Sequence, residues 1–229
     1  MTMQAVILAA GMGTRLGRPW PKPLTPLSDG RTIMQQQMDN LRAAFPDVRI
    51  TTVVGFKLEL ILEAFPDVCY VYNEAYDQTN TNRSLLKALR LSADGGVLWM
   101  NGDVVFDPEV LERVKDLIAA EQSFVCVNTA AVGEEEVKYT VDADGYVRYL
   151  SKTVIDALGE SVGINYISAA DKPRLIERLA ECTDLDYFER GIELMIASDR
   201  VRVQPFDISD LFAVEVDFEE DLSRANQHL

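Results

Sequence analysis

The sequence predicts an α/β protein built on a doubly wound, mainly parallel but mixed sheet with a small β-hairpin insertion, forming one domain over residues 1–229. Three observations predict it. Short β-rich runs alternate with helical stretches, the pattern of repeated βαβ units and of a sheet covered on both faces. The first apolar run, Ala5-Val6-Ile7-Leu8-Ala9-Ala10, leads straight into a glycine-bearing loop, where open α/β sheets bind their ligands. Asp142-Ala143-Asp144-Gly145 interrupts the alternation, and its Asp-Gly pair supplies a hairpin turn.

The β-branched and aromatic runs are read as strands and the longer stretches between them as helices. In order, these are strand Gln4–Ala9, helix Thr32–Phe45, strand Arg49–Val54, helix Lys57–Phe65, strand Val68–Tyr72 and helix Arg83–Leu91. Strand Val97–Asn101, helix Pro108–Ala120 and strand Phe124–Asn128 complete the regular part. The hairpin pairs Val137–Val141 with Tyr146–Leu150. Strand Gly163–Ile167, helices Lys172–Glu181 and Asp186–Ala197, strands Val201–Pro205 and Phe212–Val216, and a last helix from Phe218 close the chain. Glu134-Glu135-Glu136 is the one charge run, read as a solvated loop.

At 229 residues the chain is long enough to bury a sizeable core. A formal charge of −15 argues against nucleic acid and anionic membranes as partners, so an anionic substrate has to be met by a local basic pocket. Arg15, Arg18 and Lys22 cluster in the first loop. Cys69, Cys126 and Cys182 are widely spaced and read as small core residues. Met1-Thr2-Met3-Gln4 lacks a basic leader region, and the first apolar run is too short to insert in a membrane, so a cytoplasmic chain is expected. His228, the sole histidine, falls in a tail expected to fray.

Gly11-Met12-Gly13-Thr14-Arg15-Leu16-Gly17, followed by Pro21-Lys22-Pro23-Leu24, reads as an anion cradle. Two glycines let the backbone approach a phosphate chain, exposed N–H groups can ligate its oxygens, and Arg15 and Lys22 bring fixed positive charge. It is not a Walker loop, because one residue separates Gly11 from Gly13 and the lysine comes nine positions later. It is not a dinucleotide fingerprint either: position 16 is Leu, and the strand Arg49–Val54 ends in Gly55 rather than in the acid that would hold a ribose.

At these residues the chain resembles the nucleotidyltransferases that couple a nucleoside triphosphate to a sugar phosphate or phospho-alcohol. Their strand, Leu-Ala-Ala-Gly-x-Gly-Thr-Arg-Leu and Pro-Lys-Pro-Leu are matched position for position by Leu8 to Leu16 and Pro21 to Leu24. The resemblance implies a Rossmann-like nucleotidyltransferase fold, with Leu8, Ala9, Ala10, Gly11, Met12, Gly13, Thr14, Arg15 and Lys22 around the nucleotide.

Two acids stand at strand ends: Asp103 after Val97–Asn101 and Gly102, and Asp217 after Phe212–Val216. Each could hold Mg²⁺, since a hard cation takes few carboxylates and keeps its remaining positions for water and phosphate oxygens. A turn residue at Asp103 and a helix N-cap at Asp217 are the competing structural readings. The family has Gly-Asp after its central strand and a second Asp in an apolar-Asp-x-x-x-Asp-Leu setting, which Val216 to Leu222 reproduces. The resemblance also implies that Lys152, directly after the hairpin, grips the acceptor phosphate. Glu160 in Gly159 to Ile164, and Tyr187 and Glu189 in Asp186 to Glu189, resemble segments that line the acceptor pocket.

Asn80, Ser84 and Leu85 look like the small phosphocholine cytidylyltransferases, which makes CTP the leading nucleotide. Those enzymes place aromatics where this chain has Asn82 and Arg83, so a loop offering an amide and a cation is expected to favour hydroxyls or a second anion over choline. Polyol, inositol or sugar phosphates and phosphonates therefore stand beside a phosphocholine-like compound as expected acceptors, with Arg83 as a reader of the acceptor. UTP-, dTTP- or GTP-dependent transfer to a sugar 1-phosphate is the alternative chemistry, and a non-catalytic nucleotide sensor is the alternative class. A glycosyltransferase would show Asp-x-Asp after the central strand, whereas Asp103 and Asp107 are separated by three residues. Catalysis is expected to need no general base, with Arg15, Lys22, Lys152 and Mg²⁺ offsetting crowded negative charge. The assembly carried with this reading is a homodimer.

Overall fold

A computed structural model describes residues 2–130, 132–133 and 136–229. Ala131, Glu134 and Glu135, hence most of the acidic run, lie outside the described residues. The main sheet runs in the order β10-β6-β9-β4-β1-β2-β3. Its strands are β1 (Gln4–Ala9), β2 (Arg49–Val54), β3 (Cys69–Tyr72), β4 (Val97–Asn101), β6 (Phe124–Asn128), β9 (Gly159–Ile167) and β10 (Gln204–Asp207). β4, β1, β2 and β3 run parallel, as do β10 and β6, while β9 lies antiparallel between β4 and β6. The hairpin β7 (Lys138–Val141) and β8 (Val147–Ser151) joins the sheet through β7 and β9.

All six residues of β1 are buried, because helices cover both faces of the sheet and leave no side of the strand to water. Ala5, Ile7 and Ala9 face α1 (Ile33–Ala44), α2 (Leu58–Ala64) and α4 (Glu109–Ala119) through Met34, Met38, Leu41, Ile61 and Val110. Val6 and Leu8 face α3 (Thr81–Leu91), α5 (Lys172–Glu181) and α6 (Phe188–Asp199) through Leu85, Leu89, Leu179 and Ile192. A third, smaller cluster joins Leu16 and Leu27 to Val216 and to Leu222 of the last helix, α7 (Glu219–His228).

Four sequence readings change. A strand absent from the expected order, β5 (Val104–Phe106), follows Asp103 and pairs antiparallel with β11 (Ala213–Glu215) in a separate two-stranded sheet. β9 begins at Gly159 rather than Gly163; Gly163 is the left-handed residue (φ 72°) of a bulge where the β6–β9 register shifts, so a glycine that reads as a strand start sits inside the strand. Cys69 is exposed on the edge strand, while Cys126 and Cys182 are buried and burial pushes both thiols up. His228 does not fray: it closes α7 with its ring stacked on Phe212, 4.1 Å between centroids. No helix of the described residues is long and apolar enough to cross a membrane.

Candidate active site

Leu8 and Ala9 end β1 at the floor of a cleft of about 490 Å³. The chain then turns over Gly11 to Gly13 into a 3₁₀ turn, Thr14–Leu16. A Cβ added at Gly11 meets no protein atom within 4 Å, so the space beside it belongs to the cleft. Gly13 has φ 59°, and a Cβ there would lie 3.0 Å from the Cβ of Lys22, which is how the loop folds tightly over the second motif. Pro21 leads Lys22-Pro23-Leu24 into another 3₁₀ turn that carries the Lys22 side chain inward.

The Lys22 ammonium sits between two carboxylates, 2.9 Å from Asp103 Oδ2 and also hydrogen-bonded to Asp217 Oδ1. Arg15 Nη1 donates to Asp217 Oδ2 at 2.8 Å. Burial alone would lower the Lys22 pKa, but the charges of Asp103 and Asp217 and the hydrogen bonds to them override it and raise it. Burial would raise Asp217, and the Lys22 and Arg15 charges instead hold it below its ordinary value of 3.8.

Two local devices bring the acids together. Gly102 donates to Leu8 O (2.9 Å), and a Cβ on it would lie 2.7 Å from that oxygen and 3.1 Å from Pro23 Cγ, so only glycine lets the Asp103 turn rest on β1 and the Lys22 segment. The β5–β11 sheet pairs Val104 with Glu215, and Val216 N donates to Asp103 O at 2.9 Å, setting Asp217 beside Asp103. From α1, the Gln37 amide donates to Asn101 O and Val104 O (both 2.8 Å) and Gln36 donates to Phe106 O (2.7 Å), holding the turn from behind. None of Gln36, Gln37 or Glu215 is singled out by the sequence motifs. Glu215 ends β11 two residues before Asp217, and that short spacing to a predicted site acid is the one signal the sequence carries for it.

At the other end of the cleft, Lys152 follows β8 with its ammonium 4.8 Å from the centroid of Tyr187. Glu189, in the first turn of α6, is only 5% exposed, and its Oε2 has no hydrogen-bond partner among the described residues. Burial pushes its carboxyl up to about 7, and Glu193 adds to the rise while Lys152 opposes it. Glu215 also lines the cleft, accepts from Asn101 Nδ2 at 3.0 Å and is raised well above the ordinary carboxylate range by burial and by Asp103 and Glu136.

Most of the sequence-predicted residues meet here: Leu8, Ala9, Gly11, Met12, Gly13, Thr14, Arg15, Lys22, Asn80, Asp103, Lys152, Tyr187, Glu189 and Asp217 all line the cleft. Asn80 does so while capping α3, its Oδ1 accepting from Thr81 N (2.8 Å) and its amide donating to Leu185 O. Four do not line it. Ala10 is packed under the loop; Ser84 lies buried beneath the wall, accepting from Asn73 Nδ2; and Glu160 is spent on the backbone N–H of Gly133 at 2.7 Å. Arg83, expected to read the acceptor, turns to the C-terminal end of α5, where it pairs with Asp184 (2.7 Å) and donates to the carbonyls of Cys182 (2.8 Å) and Leu179. Free carbonyls at a helix C-terminus attract a guanidinium, which accounts for its direction. Asn82 is likewise buried, donating to Thr183 O at 2.6 Å.

Among the described residues no three His, Cys, Asp or Glu side chains cluster as a metal cage. Two carboxylates suffice for a hard divalent cation that keeps water and phosphate ligands, and Asp103 Oδ1 is buried with no hydrogen-bond partner. The donor set therefore fits such an ion at Asp103 and Asp217.

The Glu189 carboxyl carries a stability signature. A pKa raised from 4.5 to about 7 means that the folded state holds the proton more tightly than the unfolded chain, so this contribution is complete below pH 4.5 and is lost as pH rises through 7. The span amounts to on the order of 3 kcal/mol. Glu189→Gln is therefore expected to match the wild type at pH 5 and to be the more stable protein at pH 8, checked by urea melts of both at each pH.

Residues 5–184 match the MobA-like NTP transferase domain family. Over 152 residues the chain is 38% identical to the CMP-5'-(3-aminopropyl)phosphonate synthase of Streptomyces rubellomurinus, a match covering 62% of this chain and 23% of that protein. The chain spans about a quarter of the length of the curated relatives it matches. In fold it is similar to a CTP:phosphocholine cytidylyltransferase from Streptococcus pneumoniae (TM-score 0.77, 17% identity, 100% of this chain and 99% of that one). It is also similar to the inositol-1-phosphate CTP transferase from T. maritima (TM-score 0.76, 14% identity, 100% and 98%). With its sheet order, its loop over Gly11 to Lys22 and most of its length inside the match, the chain belongs to the MobA-like NTP transferases.

Proposed function

We propose that this enzyme transfers the cytidylyl group of CTP to a phosphonate or phosphate monoester in the presence of Mg²⁺, releasing pyrophosphate. The observation that carries this reading is the sorting of charge along one cleft: Arg15 and Lys22 beside the glycine loop, and Lys152 at the far end. Two anionic substrates can thus be held apart from each other with a reacting bond between them. The choice of CTP and of a phosphonate is supported by the product named for the Streptomyces relative and by the CTP-using enzymes among the fold neighbours.

The chemistry asks little of the protein beyond placement and neutralisation. Triphosphate oxygens entering over Gly11 and Gly13 compete with Asp103 and Asp217 for the Lys22 and Arg15 head groups. An acceptor oxygen held by Lys152 attacks the α-phosphorus in line; the α–β bridging bond breaks, and its electrons leave on pyrophosphate. The acceptor is already ionised near neutrality, so no proton has to be removed. Mg²⁺ at Asp103 and Asp217, when bound, neutralises phosphate charge that the two cations leave uncompensated.

The test is pyrophosphate release by the purified protein with each of four NTPs and a panel of phosphonates, polyol phosphates, sugar phosphates and phosphocholine. Turnover with UTP or dTTP and a sugar 1-phosphate but not with CTP would overturn the assignment. Lys152→Ala is expected to raise the acceptor KM by roughly 10- to 100-fold, the loss of one charge-assisted contact, while CTP binding by calorimetry is unchanged.

A further inference from the structure

The nucleotide end of the cleft already holds a cation of its own. Asp103 and Asp217, the pair that fits a hard divalent ion, share the Lys22 ammonium, which lies 2.9 Å from Asp103 Oδ2 and is hydrogen-bonded to Asp217 Oδ1. Arg15 Nη1 takes the other Asp217 oxygen at 2.8 Å, and Asp103 Oδ1 is buried with no hydrogen-bond partner among the described residues. An ion that bridges the two acids needs the place where the ammonium lies, because its oxygen ligands stand only about 2.0–2.6 Å away and two positive charges repel at such a range. The two occupants therefore exclude each other. The lysine stem is fixed, its Cβ close under Gly13 and its turn set by Pro21 and Pro23, but the head group borders the open cleft beside Gly11 and can turn that way.

We infer that Lys22 is the resident occupant of the divalent-ion site in the free enzyme, and that the ion is admitted only as a triphosphate draws the lysine off the two acids. This rests on the nucleotidyl-transfer reading and adds the order in which its site is loaded. Each carboxylate keeps a counter-charge throughout. Before loading, Lys22 and Arg15 provide it; after loading, the ion does, while the two side chains face phosphate oxygens. Without a triphosphate, an ion has to break two charge-assisted contacts of a lysine that is 10% exposed, so its apparent affinity falls to the small fraction of molecules whose site is open. Linkage makes the effect reciprocal, since the ion strengthens the hold on the triphosphate by the factor through which the triphosphate strengthens the hold on the ion. This synergy exceeds simple chelation of the ion by the phosphates, because part of it comes from the change of partner at Lys22.

Mn²⁺ serves as the probe, its binding counted from the paramagnetic resonance signal of the free ion. Without nucleotide, Lys22→Met should bind Mn²⁺ at least about tenfold more tightly than the wild type, the factor that one charge-assisted contact is worth, and Lys22→Met/Asp103→Asn should lose that gain. A second arm uses the unmodified protein. The wild-type complex with α,β-methylene-CTP should hold Mn²⁺ at least about tenfold more tightly than the free analogue does, and the wild type alone more weakly than either. Synergy with the UTP analogue in place of the CTP analogue leaves Lys22 in its assigned role and sinks only the choice of nucleotide. Equal Mn²⁺ affinity of nucleotide-free wild type and Lys22→Met, a gain that survives Asp103→Asn, or the absence of synergy with either analogue overturns the inference.

Discussion

Asp103→Asn is expected to lower turnover by roughly a hundred- to a thousandfold while the protein still folds, the range seen when one preorganised electrostatic contact is removed from an active site. The side chain leaves the turn between β4 and β5, which is fixed from behind by Gln37 and from below by the Gly102 contact with Leu8 O. An amide fills the same space and can still accept from Lys22, so the loss falls on charge and not on packing. Pyrophosphate release at saturating CTP with the divalent ion varied, alongside a thermal melt, separates the two. A rate near wild type at limiting divalent ion would show that Asp103 takes no part in holding it.

Lys22→Ala has the larger consequence, because it removes a cation shared by Asp103 and Asp217. Its side chain is 10% exposed, and breaking a buried pair by deleting one partner costs about 3–5 kcal/mol. Arg15 remains on Asp217, which places the expectation at the lower end of that range. Millimolar Mg²⁺ should recover much of the lost melting temperature of this variant by standing between the two acids, and should recover little of the turnover. If Mg²⁺ shifts the wild type and Lys22→Ala equally, the two carboxylates do not form a cation site. The pH signature differs from that of Glu189. The Lys22 contribution is present below 10.5 and is lost only as pH rises through its raised value, while that of Asp217 is present above 3.8 and lost as acid titrates it below that. Across the neutral range these two contributions are constant.

What could be read in the chain depended on how local the cause was. Gly11, Gly13 and the Pro21 to Leu24 segment carry their geometry in residue type, since positive φ and a proline-set turn leave few conformations. The alternating strands and helices carry it in periodicity, and β1, β2, β4 and β6 have the bounds expected from their runs. β5 was hidden because three residues next to a Gly-Asp turn hold no period, and it forms only by pairing with β11 more than a hundred residues later. Gly163 misled for a related reason: a glycine reads as punctuation, and only the neighbouring β6 reveals a bulge. Arg83 misled most. Asn80 and Thr81 just before it line the cleft, but its direction is decided by carbonyls of α5 about a hundred residues away, which no local pattern encodes.

The ion pairs that close the site join residues 202 and 201 apart, Arg15 to Asp217 and Arg18 to Glu219, and Ser28 adds a bond to Asn226 in α7. Contacts of that span make a chain slow to reach its native state, since nearly the whole polypeptide must be in place before they can form. On the ribosome, β1 to β4 can assemble around Lys22 and Asp103 while Asp217 is still unmade. Lys22 therefore gains its second carboxylate partner, and the site its full charge balance, only once the segment that carries Asp217 is in place. Refolding followed by the fluorescence of Trp20, which lies between Arg18 and Lys22, would then report a phase later than that of Trp99 in the core of β4.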